Sequence, residues 1–110
     1  MGGYNTIFLG VQDERVRVMV SNAGYNSFLD YAASPYGGGD LAKWSLDKHI
    51  RRIRTVYNIY NNDASAIPCD FPELIAALAP PPLLTIAPKQ DEIFVLPGVM
   101  KCLDAARPGL

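Results

Sequence analysis

Val16-Arg17-Val18-Met19-Val20-Ser21, closed by Asn22-Ala23-Gly24, decides the fold. The run is short and rich in β-branched residues, which stiffen χ1 and suit an extended chain. Asn-Ala-Gly then supplies a turn. Apolar residues fall on both faces, the pattern of a parallel strand covered on each side. A second run of the same kind, Leu83-Leu84-Thr85-Ile86-Ala87, lies downstream. Helical periodicity separates and flanks the two. Strands alternating with helices predict an α/β fold with parallel strands and right-handed crossovers.

Working outward, Tyr4, Ile7, Phe8 and Val11 recur at helical spacing over residues 2–14. The segment ends in Gln12-Asp13-Glu14-Arg15. Beyond Gly24, residues 25–45 read as irregular, with Pro35-Tyr36-Gly37-Gly38-Gly39-Asp40 marking a loop. Leu46, Ile50, Ile53, Val56 and Tyr60 lie on one helical face, with Ser45 as cap and Asn61-Asn62-Asp63 as terminus. Asp70 and Glu73 have capping-box spacing, and Pro72 falls in the first turn, where a missing N–H costs little. Pro80-Pro81-Pro82 stops that helix. A last helix runs from Pro97-Gly98 to about Ala106, with Leu96, Met100 and Leu103 on one face. The chain therefore reads as a single partial domain over 1–110, with a helical and irregular insert at about 25–68. Two strands leave two open sheet edges, which predicts marginal stability and self-association through those edges.

The totals narrow the function classes. Hydrophobic residues make up 49% and charged residues 19% of 110, an ordinary globular composition. A formal net charge of −1 gives no field toward nucleic acid or anionic lipid. No apolar stretch approaches the roughly 20 residues that cross a bilayer. Met1-Gly2-Gly3-Tyr4-Asn5 lacks the basic start of a secretory signal. A cytoplasmic protein is expected, with Cys69 and Cys102 as two buried thiols. One histidine, His49, and two scattered cysteines form no zinc pattern, so no metal or cofactor is implied.

The remaining candidates carry two readings each. Five of the ten Lys and Arg residues fall between Lys43 and Arg54. They suit phosphate contacts less well than the solvated face of an amphipathic helix. His49 sits in that run and is expected on a helix surface. Tyr25, Phe28, Tyr31, Tyr36 and Trp44 either line an acyl or sugar pocket or pack a long loop. Gly2-Gly3 reads alone as a flexible tail, and Asp91 alone as a solvated loop carboxylate.

Taken together, Met1-Gly2-Gly3-Tyr4-Asn5-Thr6, the stretch Phe8–Arg15, Ser21-Asn22-Ala23-Gly24, Asp70-Phe71-Pro72-Glu73, Ala76-Ala77-Leu78-Ala79-Pro80 and the Asp91 loop resemble α/β-hydrolases. The likeness is to the dienelactone-hydrolase, acetyl-xylan-esterase and prolyl-oligopeptidase-like kind, and it covers nearly the whole chain through order and spacing. It implies a partial α/β-hydrolase fold that begins just after the nucleophilic serine of Gly-x-Ser-x-Gly. Met1 would then follow that serine and lend its backbone nitrogen to the oxyanion hole, and Gly2 would be the closing glycine. Asp91, with Glu92 as runner-up, would be the acid that orients the catalytic imidazole. The parent would act on small-molecule esters or related acyl compounds. Lacking its serine and histidine, this chain is expected to be inactive alone. The alternative is a non-catalytic module that binds a protein or another copy of itself.

Overall fold

A computed structural model describes residues 2–45 and 58–109. It divides into two compact units, Met1–Ser27 with Cys69–Leu110, and Phe28–Pro68.

The first unit is an α/β arrangement. Helix α1 spans Gly2–Gln12, strand β1 Met19–Asn22 and strand β2 Leu83–Ile86. The strands pair in parallel, with Met19 opposite Leu83 and Asn22 opposite Ile86. Two further bonds prolong the ladder: Met19 N donates to Pro82 O at 3.1 Å, and Ala23 N to Ile86 O at 2.9 Å. Strand β1 starts three residues later than its β-branched run suggests. Val16 is drawn instead into a turn, its N–H donating to the Asp13 carbonyl.

The helix after Asp70 forms as its cap predicts. It spans Phe71–Ala77 and is here called α4, the labels α2 and α3 being kept for the second unit. The Asp70 side chain accepts from the Glu73 backbone N–H, and Asp70 N donates to Glu73 Oε2 at 3.1 Å, the two halves of a capping box; Phe71 N donates to Asp70 Oδ1 as well. Helix α5 spans Leu96–Ala106 and enters with a proline in its first turn.

The core of this unit is aromatic. Phe71 lies edge-on to Tyr4 and Phe8 and is stacked on Tyr25, with ring centroids 5.3 Å apart and planes 16° off parallel. Tyr4 and Ile7 are buried from α1, Phe71 and Ile75 from α4, and Val99, Cys102 and Ala106 from α5. Two expected helix faces are corrected here. Val11 is exposed at the end of α1. On α5 the buried line is Val99, Cys102 and Ala106, whereas Met100 faces solvent. Short apolar runs offer several candidate stripes, and only packing against α4 selects one.

The expectation that both sheet faces are covered is overturned. Met19 and Ser21 are buried, and Ser21 Oγ donates to the Gly3 carbonyl at 2.7 Å, so α1 lies on that face. Thr85 points the same way, toward Tyr25. The opposite face carries Val18, Val20, Leu84 and Ile86, which are 66%, 50%, 57% and 45% exposed. Apolar residues on both faces predict burial only where a layer exists on each side.

In the second unit, residues 28–45 are less irregular than their sequence suggests. Helix α2 spans Phe28–Ala33 and helix α3 Ala42–Ser45. Helix α3 ends at Ser45, and the helix that Ser45 is expected to cap lies outside the described residues. The capping contact nearby belongs to Asp40, whose Oδ1 accepts from Ala42 N at 2.8 Å. Trp44 packs on Phe28 and Tyr31, with centroids 5.0 and 4.8 Å away, and Tyr31 lies edge-on to Tyr36. Phe28, Tyr31 and Trp44 are all buried and pack on one another. Asn61 and Asn62 take left-handed φ of 54° and end the segment, as asparagine does readily. Most of the helix expected from Leu46, with His49 and the basic run from Lys48 to Arg54, lies outside the described residues. Cys69 is exposed and Cys102 buried, neither in a disulfide, which corrects the expectation of two buried thiols. Among the described residues no helix is long and apolar enough to cross a membrane.

Candidate functional site

Parallel strands gather functional groups at their carboxyl ends, where the following loops diverge. The carboxyl ends of β1 and β2 border a shallow crevice. Ala23, Gly24 and Tyr25 line it from the first strand, and Thr85, Ile86, Ala87 and Pro88 from the second. Asp91 and Phe94 close it from the loop beyond β2, and Val99 from the first turns of α5. The walls are mainly apolar, with the Tyr25 and Thr85 hydroxyls and the Asp91 carboxylate as polar side-chain groups.

Asp91 is held by its own loop. Its Oδ1 accepts from Ile93 N at 2.8 Å and from Phe94 N at 3.0 Å. This Asx-type turn fixes the carboxylate at the crevice and leaves Oδ2 out of both bonds. Glu92, the neighbouring candidate, is exposed and does not line the crevice.

The floor is pinned by Tyr25. Its hydroxyl shares a 2.7 Å hydrogen bond with Thr85 Oγ1, tying the loop after β1 to β2. Burial pushes the Tyr25 phenol up to about 12, against the smaller opposing effect of the Thr85 bond. The group is therefore a neutral hydrogen-bonding partner at ordinary pH. Tyr25 is one of the aromatics whose sequence allowed a pocket-lining role, whereas Thr85 does not follow from motif reading. The available signal was Thr85 itself, a polar residue in the otherwise apolar run Leu83–Ala87.

The glycines of α1 divide in role. A Cβ on Gly3 would stand 2.6 Å from Asn22 O and 2.7 Å from Gly24 Cα. A Cβ on Gly24 would stand 2.6 Å from both Gly3 Cα and Tyr4 N. The first turn of α1 thus meets the turn after β1 backbone to backbone, a distance that only paired glycines permit. Gly2 opens the helix in free space, with nothing within 4 Å of a Cβ placed there. Between them, Ala23 takes a left-handed φ of 48°. That conformation costs an L-residue about 1–2 kcal/mol, and such strain tends to gather at functional sites.

The sequence-derived candidates are therefore brought together in part. Asp91 and Gly24 share the crevice, and Gly24 abuts Gly3, one residue from Gly2. Met1 lies outside the described residues, as does His49. Comparison with known proteins finds no family model, no curated protein and no solved structure that matches the chain.

Proposed function

We propose that this chain is the acid-bearing part of a serine hydrolase acting on esters or related acyl compounds. The observation that carries this reading is Asp91, held by two backbone N–H groups in a crevice at the carboxyl ends of two parallel strands. In this role the loop fixes Oδ1, and Oδ2 receives the ring N–H of an imidazole, holding the base in one tautomer and stabilising its protonated form. The Gly3–Gly24 contact supports the proposal, because a nucleophile turn needs close packing behind it. Helix α1 would direct its positive end toward the developing oxyanion, with Met1 and Gly2 at its start. Asp91 alone performs no hydrolysis, since an acid of this kind acts only through the base it orients.

The test is Asp91→Asn in an in-frame polypeptide that joins this chain to a serine and a histidine. Asparagine keeps an oxygen for the Ile93 and Phe94 amides but carries no charge. Hydrolysis of a p-nitrophenyl ester should fall about 10³–10⁴-fold in kcat with the melting midpoint little changed. An unchanged kcat overturns the assignment.

The bare apolar sheet face favours a second reading, a non-catalytic module that associates with another copy of itself. Val18, Val20, Leu84 and Ile86 form an uncharged strip on two paired strands. A net charge of −1 opposes self-association weakly. Light scattering coupled to size exclusion distinguishes the readings. A stable dimer that Val20→Lys with Leu84→Lys dissociates supports self-association, and a monomer at high micromolar concentration excludes it.

A further inference from the structure

We draw no further inference here: the strongest candidate, the bare apolar face of the β1–β2 sheet formed by Val18, Val20, Leu84 and Ile86, already underlies the second functional reading, and nothing in the structure shows what covers it.

Discussion

In the proposed function Asp91 would have two jobs, which substitutions separate. As a turn residue it needs only an oxygen for the amides of Ile93 and Phe94. As the proposed triad acid it would need its charge. Asp91→Ala should therefore cost about 1–2 kcal/mol in urea denaturation, the cost of two orphaned N–H groups, while Asp91→Asn costs little. Equal losses in the two variants would mean that the charge itself stabilises the loop. Tyr25 gives a pH-dependent counterpart. Its folded-state ionisation lies at about 12, above the ordinary 10 of an unfolded chain. The stability linked to this group is present in full below pH 10 and is lost as pH rises toward 12, because the unfolded state ionises first. Tyr25→Phe should be about 1 kcal/mol less stable than the parent at pH 8, where it orphans Thr85, and should close that gap by pH 11. Denaturation midpoints at the two pH values check the sign. Asp91 was legible in the sequence as a residue after a strand. Tyr25 was legible as a candidate pocket-lining aromatic but its bond was not, because its partner Thr85 is 60 residues away and only the fold brings the two hydroxyls together.

At the scale of elements, local signals were the readable ones. The capping box at Asp70 and Glu73, the proline-rich stop and both strands appear where the residues place them, within a few positions. Asp70→Ala should cost about 1 kcal/mol by removing the N-cap. The helix faces of α1 and α5 were read less well, since a stripe is chosen by what it packs against and not by its own composition. The short helix α2 carries too few turns to show a period at all. The glycines give the sharpest contrast between reading and structure. Gly2 and Gly3 are alike in sequence, yet only Gly3 faces backbone. Gly3→Ala should cost about 2–3 kcal/mol because neither Asn22 O nor Gly24 Cα can yield without moving the turn after β1. Gly2→Ala should be neutral or stabilising by up to about 1 kcal/mol, through helix propensity. Thermal melts of the two variants side by side test whether α1 is seated on that turn.

At the scale of the molecule, the first unit has helices on one face of a parallel sheet and an uncovered apolar face on the other. Parallel sheets occur almost only with both faces covered. Here Val18, Val20, Leu84 and Ile86 leave one face exposed. The sequence announced the apolar residues of both faces; it could not announce which face would be covered, because that depends on where the helices pack. The serine-hydrolase account joins this geometry to Asp91 and to the Gly3–Gly24 seat, and it makes a demand outside the chain. Reading the coding DNA immediately upstream of Met1 tests it most directly. The account predicts that the frame continues without a stop into Gly-x-Ser preceded by a β-branched strand. A stop codon or an unrelated sequence at that place would contradict it and leave self-association as the surviving reading.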